Sequence, residues 1–204
     1  IKSNNSQIIE NIINNFLKEK NSFIFESVEK RTVRGRYTII GGNPDKIWEF
    51  NKDKVKLIQK KVKKKLKVSP YNYLKKLIQD FKFPLSKKLP PLSSLLVGYF
   101  SYDIIRYIEK IPDNCLDDLK IPDVRIMRPK TIIIHDNLLK KIFFIINCYS
   151  DEKILNYKKY YLDQVEKINF LKRMAFDKKV SKNIYLKNNK KTKVKVKSNI
   201  TKET

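Results

Sequence analysis

The sequence predicts an α+β protein, with antiparallel sheets and surrounding helices. Three observations carry this. Helix-period apolar patterns stand at residues 6–20, 71–81 and 151–174. Short runs rich in aromatic and β-branched residues fill the spaces between them. The regular strand–helix–strand rhythm that builds a parallel sheet is missing. Apolar residues make up 41% of the 204, including 11 Tyr and 11 Phe, enough material for a real core.

Each element has a local reason. Residues 6–20 place Ile8, Ile9, Ile12, Ile13, Phe16 and Leu17 on one helical face, with Asn5 or Ser6 as the cap. Residues 22–27, 36–40 and 47–50 read as strands, the last two separated by a Gly41-Gly42-Asn43-Pro44 turn. Residues 54–68 read as an exposed hairpin with Val55, Leu57, Val62, Leu66 and Val68 facing inward. Its flanking lysines discourage edge-to-edge pairing. Ser69 and Pro70 open a helix over 71–81 that buries Tyr73 or Leu74, Leu77, Ile78 and Phe81. Pro84, Pro90 and Pro91 space it from the apolar run 95–102, after which Asp103 and Arg106 mark a helical start. Residues 131–135 and 141–148 flank Asp136-Asn137 as a hairpin. Residues 151–174 close the domain as a helix, apolar at Ile154, Leu155, Tyr157, Tyr161, Leu162, Val165, Ile168 and Leu171.

Beyond Phe176 the pattern collapses, so 1–176 reads as one domain and 177–204 as a basic linker. Ser198 to Glu203 then has the composition of a helix start, a cap followed by a first-turn acid, a pattern that fits either a frayed tail or a fragment whose next domain follows.

The net charge is +25, but 39 of the 46 basic residues are lysine and only 7 are arginine, while Ala occurs once. Lysine and asparagine belong to A/T-rich codons, so a coding bias explains the excess without a partner. The basic stretches are poor nucleic-acid ligands as well. Residues 51–67 hold no Arg and no aromatic, and 177–204 hold only Tyr185. A nucleic-acid partner is therefore disfavoured. The longest uncharged stretch, 89–102, is too short to span a bilayer, so no membrane partner is expected and the location reads as cytoplasmic. Cys115 and Cys148 fit isolated reduced thiols rather than a disulfide framework. Glycine occurs only at 35, 41, 42 and 98, which excludes a glycine-rich phosphate cradle. The single histidine, His135, lies in an apolar strand and reads as structural, and no carboxylates show metal-site spacing.

Three blocks resemble one family. Phe23-Ile24-Phe25-Glu26-Ser27-Val28-Glu29, then Arg34 to Gly41 and Asn43-Pro44-Asp45, is similar to the first conserved block of anthranilate synthase component I. Leu89-Pro90-Pro91, Val97-Gly98-Tyr99-Phe100-Ser101-Tyr102-Asp103 and Arg106-Tyr107-Ile108-Glu109 resemble its second. Ile121-Pro122-Asp123 with Thr131 to Asp136 resembles its third. The chain departs from the pattern at Lys30-Arg31, at Ser93 to Leu95 and at Ser101, positions where the family carries glycine or threonine. The resemblance implies the N-terminal part of a two-layer fold. It implies that chorismate, Mg²⁺ and the reacting groups belong to a C-terminal domain outside this chain. It also implies a glutamine amidotransferase subunit (component II) as partner and L-tryptophan as effector. Ser27 and Glu26 then correspond to effector contacts, with Arg36 as a basic residue for the effector carboxylate. No catalytic residue and no metal ligand is assigned within the chain. Aminodeoxychorismate synthase component I shares the scaffold and is the alternative, and a free-standing basic nucleic-acid binder is the more distant one.

Overall fold

A computed structural model describes residues 6–26, 35–60, 62–114 and 116–176. Two long strands organise it. β2 (Tyr37–Asn51) and β6 (Val124–Asp136) run antiparallel, from Tyr37 opposite Asp136 to Phe50 opposite Val124. At the Tyr37 end, β1 (Phe23–Phe25) pairs with the outer edge of β2, and β7 (Lys141–Ile146) with the outer edge of β6. At the other end β3 (Lys54–Gln59), followed outward by β4 (Val62–Leu66), takes over beside β2. There β5 (Val97–Phe100) takes over beside β6. The changeover lies where Pro44 faces Pro129 and the register slips by one residue. Neither proline has an N–H to give to the ladder, and the extra residue in the bulge is Asp45.

The turn expected at 41–44 is therefore strand. Pairing with β6 overrides the local turn preference of Gly-Gly-Asn-Pro, and packing explains the glycines. A Cβ on Gly41 would lie 2.5 Å from the Phe23 ring, and one on Gly42 would lie 3.0 Å from the Phe16 ring.

Helix α1 (Ser6–Phe16) and the C-terminal half of α3 (Tyr157–Phe176) cover one end of the sheet. Ile9, Ile12 and Phe16 pack there with Ile40, Ile133, Ile142, Leu171 and Ala175. The buried Asn11 side chain donates to the Ala175 carbonyl at 3.3 Å, satisfying one of the carbonyls that a helix end leaves open. α2 (Pro70–Asp80) covers the other end, where Leu74 meets Trp48, Phe50, Val55, Val124 and Ile126. Strand alternation sends Ile133 to the face opposite Ile132 and Ile134, and all three are no more than 2% exposed. Both faces of the sheet are thus covered at this point.

The structure corrects several boundaries. α1 stops at Phe16, and β6 begins at Val124 rather than at residue 131. α3 begins at Tyr157 rather than at residue 151. Asp151 and Glu152 are held in ion pairs with β-sheet cations, so the segment cannot wind. Asn156 Oδ1 then accepts the Lys159 N–H at 2.9 Å and caps the helix. Val62 and Val68, expected inward, are exposed: Val62 lies at the hairpin tip, and Val68 lies beyond the end of β4 in the connection to α2. Ile78 is also exposed, as are Leu155, Tyr157, Tyr161 and Leu162 at the α3 end remote from α1. The run 95–102 becomes β5 and then a 3₁₀ turn, Tyr102–Tyr107, in which Arg106 Nε donates to Asp103 Oδ1 at 2.8 Å. No described helix is long and apolar enough to cross a membrane. The expected linker at 177–204 lies outside the described residues.

Candidate functional site

The antiparallel pairing of β1 with β2 brings two of the three predicted site residues to the same end of the sheet. Phe25 is opposite Ile39, so Glu26 follows β1 where Arg36 leads into β2. Glu26 is exposed. Ser27 lies outside the described residues.

Arg36 has a defined partner. Its Nε lies 3.1 Å from both carboxylate oxygens of Asp136 and its Nη2 lies 2.7 Å from Oδ2. Its guanidinium also lies 4.9 Å from the centre of the Tyr37 ring. Asp136 is 1% exposed and accepts the backbone N–H groups of Leu138 and Leu139, both at 3.0 Å. Burial pushes its carboxyl pKa up, but the Arg36 hydrogen bonds and the two backbone donors outweigh burial and hold it below its ordinary value. The Asn137 N–H closes the corner on the Arg36 carbonyl at 2.8 Å. Arg36 thus ties the entry of β2 to the β6–β7 turn, two points 100 residues apart in sequence. A fixed guanidinium at a strand end is suited to a carboxylate, provided it offers a nitrogen beyond those committed to Asp136.

A second polar cluster lies at the bulge. Arg128 donates from Nε to Asp45 Oδ1 at 2.9 Å and from Nη2 to Asp151 Oδ1 at 2.8 Å. Its guanidinium lies 3.9 Å from the centre of the Tyr149 ring. Lys46 pairs with the other oxygen of Asp151. Burial pushes the Asp151 carboxyl up, but the hydrogen bonds from Arg128 and Lys46 prevail and leave it at about 2. Sequence reading missed this cluster. Its one trace in the sequence is Asn43-Pro44-Asp45, part of the first resembling block.

Among the described residues no group of three or more His, Cys, Asp or Glu side chains could hold a metal ion. His135 lies on β6 opposite Ile142 of β7. Cys148 is an exposed free thiol. Exposed Lys63, Lys64 and Lys65 line the outermost strand, β4.

No family model matches the chain. Its relatives by sequence are consistent with one another. Anthranilate synthase component 1 of Acetivibrio thermocellus is 31% identical over 185 residues, covering 89% of this chain and 37% of that protein. The Acinetobacter calcoaceticus protein of the same name is 33% identical over 155 residues, or 72% of this chain and 31% of that one. A crystal structure of anthranilate synthase component I from Streptococcus pneumoniae TIGR4 superposes with a TM-score of 0.48 at 21% identity, over 69% of this chain and 31% of that one. The chain thus spans about a third of the length of these relatives (37% and 31%). A match over 89% of the chain at 31% identity joins all three resembling blocks into one alignment, and the chain belongs to the anthranilate synthase component 1 family.

Proposed function

We propose that this chain is the N-terminal, regulatory part of an anthranilate synthase component 1, the subunit that turns chorismate into anthranilate in the first step of tryptophan biosynthesis. The observation that carries the reading is the coverage: nearly all of the chain aligns, while most of the relative lies beyond it. Residues 1–176 form the N-terminal domain and residues 177–204 lead to the catalytic domain. Chorismate, Mg²⁺ and the acid–base groups belong to that other part, and the glutamine amidotransferase subunit supplies ammonia to it. The described residues here supply anchoring and control.

Control runs through the strand end that carries Glu26 and Arg36. L-Tryptophan presents an ammonium and a carboxylate. Glu26 serves the first, Ser27 hydrogen-bonds the polar end, and Arg36 serves the carboxylate through Nη1, since Nε and Nη2 are held by Asp136. A ligand that binds one conformation better shifts the equilibrium by its differential affinity, typically about 1–3 kcal/mol.

Two outcomes are expected. The 204-residue chain alone releases no pyruvate from chorismate with ammonia and Mg²⁺, and release above background overturns the division of labour. In the full-length enzyme, Ser27→Ala keeps near-normal turnover. It needs several-fold to about tenfold more tryptophan for half-inhibition, because one lost hydrogen bond is worth about 0.5–1.5 kcal/mol. An unchanged inhibition curve removes Ser27 from the effector site. A wild type indifferent to tryptophan favours the aminodeoxychorismate branch.

A further inference from the structure

β4 ends one side of the sheet, pairing with β3 and, among the described residues, with no strand beyond it. No described backbone hydrogen bond joins residues 62–66 to any element but β3. The hairpin tip decides which main-chain groups stay open. Gln59 faces Val62 across the tip, and in so tight a hairpin the flanking pair exchanges both of its hydrogen bonds. Alternation along the ladder then turns the N–H and C=O groups of Lys63 and Lys65 away from β3. An open edge of this kind is a template for a further strand. It lies at the end of the sheet remote from Glu26 and Arg36, so what it binds goes beyond the regulatory reading.

The side chains decide which strand fits. Lys63, Lys64 and Lys65 are exposed, and no described carboxylate pairs with any of them. Lys63 and Lys65 share one face, about 7 Å apart along the strand. Lys65 stands directly opposite Lys56 of β3, a repulsive pairing. The carboxylate on that face of β2, Glu49, is already shared by Lys56 Nζ at 3.4 Å and Arg125 Nε at 3.3 Å. On the other face, Val62 and Leu66 flank Lys64. An antiparallel strand beside β4 is therefore best matched by carboxylates opposite Lys63 and Lys65 and apolar residues opposite Val62 and Leu66. A second copy of β4 would set lysine against lysine. No two of the 21 acidic residues of this sequence stand two positions apart, so no segment of it offers that pattern. A nucleic acid would neutralise the lysines but leave the open N–H and C=O groups without a strand to pair them. We propose that the β4 edge binds an extended acidic segment of a partner protein, with carboxylates at alternate positions, as an added antiparallel strand. A coding bias accounts for how many lysines the chain carries, while the open main-chain groups between them are a property of the fold. Lysines that repel neutral and basic strands from an edge select an acidic one.

The probe is the blocked peptide Thr-Val-Glu-Thr-Glu-Val-Thr, offered to the full chain and followed by nuclear magnetic resonance. It is expected to protect the amide protons of Lys63 and Lys65 from deuterium exchange, saturably. The Lys64 amide, already bonded to β3, should not change. Replacing both Glu by Gln should weaken binding several-fold to about tenfold, the scale of two opposite-charge cross-strand pairs. Methylating the two Glu nitrogens keeps the charge but removes the edge hydrogen bonds, and should abolish the protection. In the chain carrying both Lys63→Glu and Lys65→Glu, two changes at exposed positions, the preference should reverse toward a peptide with Lys in place of Glu. Lys63 and Lys65 amides left unprotected at millimolar peptide overturn the proposal. Equal binding of the methylated peptide overturns it too, since the attraction is then diffuse charge. So does a preference that fails to reverse, or an oligothymidylate that binds more tightly than the peptide at about 0.15 M salt.

Discussion

Gly98→Ala is expected to detach β5 from the sheet. Gly98 faces Ile126 across the β5–β6 ladder. A Cβ built there would lie 1.9 Å from the Arg125 carbonyl oxygen and 2.8 Å from Ile126 Cα. Both are backbone atoms of a central strand, so no side-chain rotation relieves the contact and the edge strand must move. Its neighbour Val97, buried with Ile47 and Met127, moves with it. Overpacking a well-filled site costs about 1–3 kcal/mol and occasionally more, and a backbone collision belongs at the upper end. For a chain of this size about 3 kcal/mol corresponds to a fall in Tm of about 6–12 °C. Gly41→Ala is the control. Its Cβ would meet the far edge of the Phe23 ring at 2.5 Å, a side chain that can turn, so its penalty should be clearly smaller. Thermal unfolding of both variants decides the matter. Equal midpoints would show that β5 yields as easily as a side chain.

The same glycine shows where sequence reading stops. Period and composition were sufficient for α1, α2, the lysine-edged hairpin and the β6–β7 corner, because each is decided by residues close together in the chain. Gly41 to Pro44 misled because the signal is local and the outcome is not. Two prolines from distant strands face each other there, and β6 supplies the pairing that turns a turn-like tetrapeptide into strand. The start of α3 was misplaced for a related reason. Asp151 and Glu152 suit a first helical turn, yet they are drawn to Arg128, Lys46 and Lys130 on strands the sequence does not place beside them. Of the candidate site, Glu26, Ser27 and Arg36 all came from resemblance alone. The tie of Arg36 to Asp136 joins residues 100 apart, which no local pattern in the sequence displays.

Arg128→Ala should cost more than Gly98→Ala. The Arg128 side chain is 11% exposed, Asp45 is 15% exposed, and Asp151 remains 43% open to water. Burial alone would lower the Arg128 pKa, but hydrogen bonds to Asp45 and Asp151 more than compensate and raise it. Removing the guanidinium strands Asp45 beside the bulge without its cation and leaves the Tyr149 ring without its stacked partner. Breaking a buried pair on one side costs about 3–5 kcal/mol, because the remaining charge stays desolvated. For this size of chain that lowers Tm by about 6–20 °C. Arg128→Lys should recover only part, since an ammonium cannot serve two carboxylates as a planar fork does. The penalty should also depend on pH, and the sign follows from Asp151. Its carboxyl is held down to about 2 from an ordinary value of 3.8. A depressed carboxylate contributes its full stability above the unfolded value, and the contribution is lost as pH falls through the folded one. The gap between wild type and Arg128→Ala should therefore be constant above about pH 5 and narrow between about pH 4 and 2. Urea midpoints taken across that range provide the measurement. A gap independent of pH would mean that Arg128 stabilises by packing on Tyr149 rather than by its carboxylates.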